Sequence, residues 1–396
     1  MRAELTPAGS VQPGNQDGTN GPPPETWVLE SAVDQLIAEK LVDQAAIVDQ
    51  QIRLTSRARR NLSLKVERGS LPTLRIKRPE PTVPDTLETV AAEIRFYEFC
   101  RQEPAVSAVA RFLAPSVAAF EDRPILVVEE IEGARSLWRH YVQDGTRQMP
   151  LGACRALGGA LGALHETFGH QELVADPRLG DLASGPPEPL GYDRPDPRML
   201  RFVSPANLEI SRLLQSDSRS VEAFEEARRS WRDETLIHGD IRSDNVLVLP
   251  PSDDHAVEIR LIDWEFLQLG DPAWDIGDVL RDFADLWVFG MSWQPDLDPA
   301  ARTASAAVSF ADLRPVLTAF WQAYRERREL SESASQTMLL RATRYSGVRL
   351  AQTAWEYSAT SEELSSRELV LLQIATNVLG DPQRARRELW GIDEVL

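Results

Sequence analysis

Three side chains that carry oxygen atoms follow one another closely in the second half of the chain. Asp240 ends the triplet His-Gly-Asp, Asn245 comes five residues later, and Asp263 follows the strand-like run at residues 259–262. A hard divalent cation such as Mg²⁺ binds oxygen ligands, usually one or two carboxylates together with phosphate oxygens. Phosphoryl transfer needs such a cation and a carboxylate that orients the attacking hydroxyl group. The three side chains therefore predict a phosphoryl-transfer site.

A single β-hairpin would position these side chains. The apolar run at residues 246–249 and the strand-like run at residues 259–262 are typical of short strands, and residues 250–256 (PPSDDHA) supply the turn between them. We therefore expect an antiparallel hairpin that brings Asp240, Asn245 and Asp263 to one side.

The same residues belong to a composite motif. Residues 238–245 fit H-G-D-x-x-x-x-N, and the segments IDWE at 262–265 and GDPAWD at 270–275 follow closely. In this order they resemble the aminoglycoside phosphotransferase and choline kinase-like family, whose members are relatives of the protein kinases. The resemblance implies an α+β, bilobal protein-kinase-like fold. Its small N-terminal lobe would hold an antiparallel sheet plus helices, and its large C-terminal lobe would be mainly helical.

The resemblance also implies a reaction and its residues. The γ-phosphate of ATP, with GTP as the alternative donor, would move to a hydroxyl group in the presence of Mg²⁺. Asp240 would orient and deprotonate the acceptor hydroxyl, and Asn245 and Asp263 would hold Mg²⁺. In the family, the carboxylate at the position of Asp275 braces the catalytic loop through hydrogen bonds. We expect His165, which lies in the segment L-H-E, to be structural.

The first part of the chain predicts a small sheet followed by a helix. The pattern favours three antiparallel strands from residue 52 onward, with Gly69-Ser70 as a hairpin turn and Lys77 near the end of the third strand. Apolar residues at helical spacing then predict a helix over residues 86–101. Residues 125–131 (ILVVEEI) are typical of a buried strand, which we interpret as the last strand before the hinge.

Nucleotide contacts are expected from this small sheet. Kinase relatives place a lysine on the third strand, where it grips the phosphates, and a glutamate on the next helix braces it. The resemblance assigns these roles to Lys77 and Glu93. Glu88 and Glu98 are alternatives for the glutamate, and an exposed strand lysine is the alternative for Lys77.

Two further segments are candidates for contact with the nucleotide. Residues 55–61 (TSRARRN) replace the glycine-rich loop of protein kinases between the first two strands. Arg57, with Arg59 and Arg60, would either reach the phosphates or form a solvated basic turn, and Asn61 is a further candidate. At the hinge, backbone groups of Glu129 and Ile131 would hydrogen-bond the purine.

Composition limits the class of protein. The net charge is −18, from 43 Lys and Arg against 61 Asp and Glu, which argues against nucleic acid or an anionic membrane as a partner. The 2 cysteines cannot build a disulfide framework, and no signal peptide or membrane span is evident, so we expect a cytoplasmic protein. The predicted organisation is a disordered tail at 1–25, a nucleotide-binding lobe at 26–131, and a helical lobe with catalytic loop and acceptor site at 132–396.

The acceptor stays open at this stage. One hypothesis is a small molecule such as an aminoglycoside, an amino alcohol or a sugar-like compound. A second is Ser or Thr of a precursor peptide in ribosomal peptide natural-product maturation of the lanthipeptide or thioamitide type, together with biosynthetic partner proteins. A third is an inactive nucleotide-binding scaffold, against which the intact Lys77, Asp240, Asn245 and Asp263 argue. Residues 175–235 and 301–360 are expected to select the acceptor.

Overall fold

The fold comes from a computed structural model, in which contacts divide the chain into two compact units. The first consists of Met1–Glu98 and Ala114–Glu132, and the second of Phe99–Leu113 and Gly133–Leu396. The lobe boundary predicted after residue 131 stays a prediction, and the predicted tail at 1–25 lies outside the described residues. The structure describes residues 34, 36–43, 52–58, 61–80, 83, 85–120, 124–142, 150–196, 203–251 and 257–392, without the side chains of 56–58.

The first unit contains a five-stranded antiparallel sheet with the strand order β1-β2-β3-β5-β4. The strands are β1 (Ile52–Ala58), β2 (Asn61–Arg68), β3 (Leu71–Pro79), β4 (Ser116–Phe120) and β5 (Ile125–Glu129). Gly69, at φ 60°, lies in the tight turn between β2 and β3, which confirms the predicted hairpin. Leu64 and Val66 on β2 and Leu74 and Ile76 on β3 alternate into one buried cluster, as expected for a sheet with one buried face.

The predicted loop at residues 55–61 is wrong in its extent. Strand β1 continues to Ala58, and β2 already begins at Asn61. The pairs Thr55↔Lys65 and Arg57↔Ser63 extend the ladder through this polar segment. The backbone supplies the hydrogen bonds of a sheet whatever the side chains are, so polar and basic residues continue a strand as long as its partner continues.

Helix α1 (Thr86–Gln102) confirms the helix predicted after the third strand. Its apolar face buries Val90, Ile94 and Tyr97. The spacing of three or four residues between them is that of one helix face, which explains why the sequence pattern identified the element correctly.

The second unit has short strands that carry the catalytic motifs. Strands β6 (Arg135–Ser136), β8 (Val246–Val248) and β9 (Ile259–Leu261) form one antiparallel sheet, and β7 (Thr235–Ile237) pairs with β10 (Gln268–Gly270). The pairing of β8 with β9 confirms the antiparallel hairpin predicted from the sequence.

Helices make up most of the described part of the second unit. They are α2 (Ser107–Ala110), α3 (Leu137–Val142), α4 (Leu151–Thr167), α5 (Gln171–Val174), α6 (Pro205–Ser216), α7 (Ser218–Ser230), α8 (Pro272–Phe289), α9 (Pro299–Ala304), α10 (Phe310–Arg327), α11 (Glu332–Tyr357), α12 (Ser366–Gly380) and α13 (Pro382–Arg384). Helix α8 begins at Pro272 because Asp271 caps it, its side chain accepting from the N–H of Ala273 at 2.9 Å. Among the described residues, no helix combines the length and apolar character that a membrane crossing requires.

Candidate active site

The catalytic loop begins directly after strand β7, where the buried His238 is followed by Gly239. Gly239 has φ 80°, and a Cβ atom at this position would lie 2.4 Å from the backbone oxygen of Phe266. Only glycine accommodates both the left-handed conformation and this close approach. The loop then enters a short 3-10 turn at Ser243–Asn245 and continues into β8.

Asp275 in the first turn of α8 braces this loop. Its carboxylate accepts hydrogen bonds from the backbone N–H of His238 at 2.8 Å and of Gly239 at 2.9 Å. His165 at the end of α4 lies 3.1 Å from the same carboxylate through Nε2 and 2.9 Å from the hydroxyl of Tyr324 through Nδ1. The predicted bracing role of Asp275 and structural role of His165 are confirmed by these contacts.

Two further aspartates on α8 continue the same arrangement. Asp278 accepts from the N–H of Ile241 at 3.2 Å, and Asp282 accepts from the N–H of Ser243 at 2.9 Å. Residues three and seven positions after Asp275 lie on the same face of a helix. One face of α8 therefore supplies carboxylates to successive amides of the catalytic loop.

Burial acts on these acids and on the neighbouring histidines in different directions. It raises the pKa of Asp278 to about 7 and that of Asp282 to about 6, although nearby arginines oppose the shift. For Asp275 burial acts in the same sense, but its hydrogen bonds and the nearby histidines outweigh it and lower its pKa. Burial lowers the pKa of both His165 and His238, which keeps the two imidazoles neutral at neutral pH.

The Asp240 carboxylate is held from two sides. Its Oδ1 accepts a hydrogen bond from Nη2 of Arg349 at 2.8 Å, and its Oδ2 lies 3.3 Å from the amide nitrogen of Asn245. Burial acts to raise the pKa of Asp240, but the guanidinium groups of Arg349, Arg242 and Arg281 outweigh it and lower this pKa below its usual value. The carboxylate is therefore ionised at neutral pH, as an acceptor of a hydroxyl proton must be.

Asn245 and Asp263 are connected through the backbone of the hairpin. The side-chain amide nitrogen of Asn245 donates to the backbone oxygen of Asp240 at 2.9 Å. The side-chain oxygen of Asn245 therefore points away from that contact. Its backbone oxygen accepts from the N–H of Ile262 at 3.0 Å, next to Asp263. Asp263 itself has φ 69°, a left-handed conformation that is uncommon for a residue other than glycine.

This donor set fits a magnesium ion. An asparagine oxygen and one carboxylate are hard ligands, and Mg²⁺ typically takes its remaining ligands from phosphate and water. Within the described ranges, no group of three His, Cys, Asp or Glu side chains is arranged as a metal site.

In the first unit, Lys77 and Glu93 form an ion pair. Nζ of Lys77 on β3 lies 2.8 Å from Oε2 of Glu93 on α1, and the glutamate side chain is only 2% exposed. Glu88, one of the two alternatives, is exposed on the same helix. Lys77 therefore pairs with Glu93, the glutamate that the sequence analysis favoured.

The remaining candidates for nucleotide contact are placed less specifically. The N–H of Glu129 donates to the backbone oxygen of Pro115 at 2.9 Å, and the N–H of Glu130 donates to that of Thr73 at 2.8 Å. Purine contacts by backbone groups of Glu129 and Ile131 stay a prediction. Asn61 is buried at the start of β2. The side chain of Arg57 and both Arg59 and Arg60 lie outside the described residues.

Comparison with known proteins identifies the family. The model of the APH family, the phosphotransferase enzyme family, matches residues 51–330. The chain belongs to this family. No curated protein matches it significantly in sequence.

Solved structures show the fold of this phosphotransferase. It is similar to the amicoumacin kinase hAmiN in complex with AMP-PNP, Ca²⁺ and Ami, with 16% identity, coverage of 87% of this chain and 96% of that chain, and a TM-score of 0.51. It is also similar to the choline kinase from Cryptosporidium parvum Iowa II, with 12% identity, coverage of 91% and 97%, and a TM-score of 0.52. At these identities the likeness shows the fold alone, and it confirms the predicted protein-kinase-like fold.

In this phosphotransferase a polar stripe on α11 leads away from Asp240. Nη1 of Arg349 donates to Gln352 at 2.5 Å, and Gln352 donates to Glu356 at 2.8 Å. Glu356 is exposed and lies 3.9 Å from Arg242 of the catalytic loop. The stripe brings part of the predicted acceptor-selecting region, residues 301–360, next to the Asp240 carboxylate.

The segment at 175–196 reaches the same helix. The ring of Tyr192 stacks on that of Trp355 with centroids 4.5 Å apart and an interplanar angle of 24°. Arg228 on α7 holds this segment by contacts to the backbone oxygen of Leu190 and the carboxylate of Asp193, each at 2.5 Å. Two sequence-distant segments expected to select the acceptor are therefore fixed to each other.

The sequence interpretation missed Arg349 and the aspartates after Asp275. A signal for the acids was present: Asp271, Asp275, Asp278, Asp282 and Asp285 recur every three or four residues in a helix that is otherwise apolar. Buried carboxylates at helical spacing require hydrogen-bond donors, and a loop of backbone amides is one source of them. No comparable signal marks Arg349, because several arginines occur along α11.

Proposed function

We propose that this protein is a Mg²⁺-dependent O-phosphotransferase that moves the γ-phosphate of ATP to a hydroxyl group of a small molecule. The observation that carries the proposal is the Asp240 carboxylate, ionised and held by Arg349 and Asn245 in a loop braced by α8. Phosphoryl transfer relies mainly on positioning and charge stabilisation, and a fixed carboxylate beside an asparagine is suited to both.

Each proposed catalytic residue has a separate task. Asp240 orients the acceptor hydroxyl and accepts its proton, which leaves late, so the carboxylate does not need to be a strong base. Asn245 and Asp263 bind Mg²⁺, which neutralises charge on the phosphates when it is bound. Lys77 binds phosphate oxygens of the nucleotide, and Glu93 keeps its ammonium group in place. Ile131, Glu129, Arg57 and Asn61 remain candidates for further nucleotide contacts.

A small-molecule acceptor is supported by the family and by its solved members. Two similar structures are those of an amicoumacin kinase and a choline kinase. A peptide acceptor stays an outcome of the acceptor test. We expect the protein to act in the cytoplasm without nucleic acid or membrane as partner, and GTP is the donor to compare with ATP.

An acceptor screen tests the proposal. Purified protein is incubated with ATP and Mg²⁺, with an aminoglycoside, a macrolide, an amino alcohol or a sugar in separate reactions, and products are detected by the mass of one added phosphoryl group. We expect at least one hydroxyl compound to be phosphorylated by the wild type and none by Asp240→Asn. Phosphorylation of serine in a leader-bearing peptide instead would favour the peptide hypothesis.

The metal assignment has its own test. Asp263→Ala should abolish the Mg²⁺ dependence of nucleotide binding, because it removes the only carboxylate proposed to hold the cation. Isothermal titration with AMP-PNP at several Mg²⁺ concentrations measures this directly. Glu265→Ala, two residues further on, is the control and should retain the dependence. An unchanged Mg²⁺ titration of Asp263→Ala would refute the assignment.

A further inference from the structure

Arg349 on α11 is bound at every nitrogen of its guanidinium group. Nη2 donates to Oδ1 of Asp240 at 2.8 Å, Nε donates to Oδ1 of Asp278, and Nη1 donates to Gln352 at 2.5 Å. The side chain is only 5% exposed, and its guanidinium carbon lies 5.3 Å from the centre of the Trp274 ring. Such a group is held rigidly, because each hydrogen bond fixes its plane in one more direction.

The partners of Arg349 connect the catalytic carboxylate to the helix that braces its loop. Asp278 belongs to α8 and also accepts from the N–H of Ile241, the residue after Asp240. The same arginine therefore contacts the side chain of Asp240 and the acid that fixes the neighbouring backbone. Loop and carboxylate are positioned by one continuous network.

We propose that Arg349 is a positioning residue, which binds Oδ1 of Asp240 and thereby orients Oδ2, the oxygen that also contacts the Asn245 amide, to accept from the acceptor hydroxyl. The inference rests on the proposed function. In the step that it serves, the hydroxyl oxygen bonds to the γ-phosphorus while the bond from that phosphorus to the β,γ-bridging oxygen breaks, and its electron pair leaves with ADP. The hydroxyl proton passes to Oδ2 of Asp240 and from there to solvent.

A purely structural role is the competing explanation, and the chain offers a matched control for it. Arg341 lies on the same helix, is equally buried, and donates to Asp271 at the N-terminus of α8 at 3.0 Å. Its replacement removes the same kind of arginine–aspartate pair between the same two helices. In contrast to Arg349, it makes no recorded contact with Asp240 in the part of the chain that the structure describes.

The first test uses ATP and Mg²⁺ without added acceptor, so that water receives the phosphoryl group and phosphate release is measured. Arg349→Gln should lower kcat by about 100-fold, since the Asp240 carboxylate would lose its position. The KM for ATP should stay within about twofold, because the residues proposed to contact the nucleotide are unchanged. Arg349→Lys keeps the positive charge but not the planar set of donors of the guanidinium group. Its kcat should lie between those of the wild type and Arg349→Gln. Arg341→Gln should keep kcat within about threefold of the wild type.

The outcomes separate the inference from the function on which it rests. Equal losses of kcat in Arg349→Gln and Arg341→Gln would overturn the positioning role, as would a rise in KM with unchanged kcat. If Asp240→Asn releases phosphate as fast as the wild type, the proposed function itself is wrong. If Asp240→Asn is inactive while Arg349→Gln is fully active, only the present inference fails.

A second measurement does not depend on turnover. Thermal unfolding of Asp240→Asn, Arg349→Gln and the double variant gives the coupling between the two side chains. The shifts in midpoint should be clearly non-additive, because either single variant already breaks the pair. The parallel cycle of Asp240→Asn with Arg341→Gln should be additive. Additive shifts in both cycles would contradict the inference.

Discussion

At the scale of single residues, each of the two candidate centres contains a buried ion pair that involves a proposed functional side chain. Glu93 is almost completely buried beside Lys77, and Arg349 is almost completely buried beside Asp240. Removing one partner of such a pair leaves an unpaired charge in a poorly solvated place, which is costly. Both pairs therefore restrict which substitutions the chain tolerates and make the proposed roles testable one side chain at a time.

Lys77→Met should lower kcat by about 100-fold, because the proposed charge on the nucleotide phosphates is lost while the methylene stem is kept. Lys65→Met is the control: this lysine lies on the neighbouring strand β2 and pairs with Glu67 at 3.0 Å and with Glu130 at 3.5 Å. Phosphate release with ATP and Mg²⁺ measures both. Similar activity of the two variants would show that Lys77 is a structural strand lysine.

At the scale of elements, two acids on one face of α8, Asp275 and Asp282, make opposite contributions to the pH dependence of stability. The pKa of Asp282 is raised to about 6, so between about pH 4 and pH 6 the folded protein holds a proton that the unfolded chain has lost. This carboxyl group therefore lowers the free energy of unfolding as pH rises through that window. The pKa of Asp275 is lowered, so its contribution is present above about pH 4 and disappears as pH falls through its folded value.

Asp282→Asn should therefore flatten the decline in unfolding temperature between pH 4 and pH 6 and gain stability at pH 7 relative to pH 5. Asp275→Asn should do the reverse: its destabilisation is largest at neutral pH and shrinks in acid. Thermal unfolding of the wild type and both variants over this pH range measures the difference. Curves parallel to that of the wild type would contradict the assignment of these shifts to the two acids.

The contact of α4 with α10 depends on glycine. A Cβ atom at Gly158 would lie 2.1 Å from the backbone oxygen of Phe320, whereas one at Gly159 would meet nothing within 4 Å. Gly158→Ala should cost about 1–3 kcal/mol of the free energy of unfolding through overpacking. Gly159→Ala should gain up to about 1 kcal/mol, because alanine is the better helix former. Denaturant unfolding measures the free energy of unfolding of both variants. Equal changes in the two variants would be inconsistent with this packing.

Local patterns account for what the sequence predicted at this scale. Period-two apolar residues marked the strands around Leu64 and Leu74, and apolar residues at helical spacing marked α1. The end of β1 was missed because its continuation is decided by pairing with β2 and not by its own polar residues. Arg349 was missed because its partner Asp240 lies more than a hundred residues away, and contacts between distant segments leave no periodic signal.

At the scale of the whole molecule, acidity is the main property that the sequence alone provides. A net charge of −18 repels polyanions at a distance even though arginines lie beside the catalytic loop. We expect no retention on heparin and no mobility shift of duplex DNA at about 0.1 M salt. Binding of the protein to an immobilised ATP resin in the presence of Mg²⁺ is the positive control. If the protein were retained on heparin and released by salt, the expectation that it has no polyanionic partner would be contradicted.

The left-handed backbone at Asp263 has a consequence for the history of the sequence. Glycine would adopt φ 69° without strain, so an aspartate is kept there against the conformational preference of the chain. A carboxylate at such a position agrees with the proposed use of Asp263 as a metal ligand. In lineages that lost phosphotransfer, we expect this position to drift to glycine or asparagine sooner than its buried neighbours change, which makes it a marker for separating active from decayed copies of the gene.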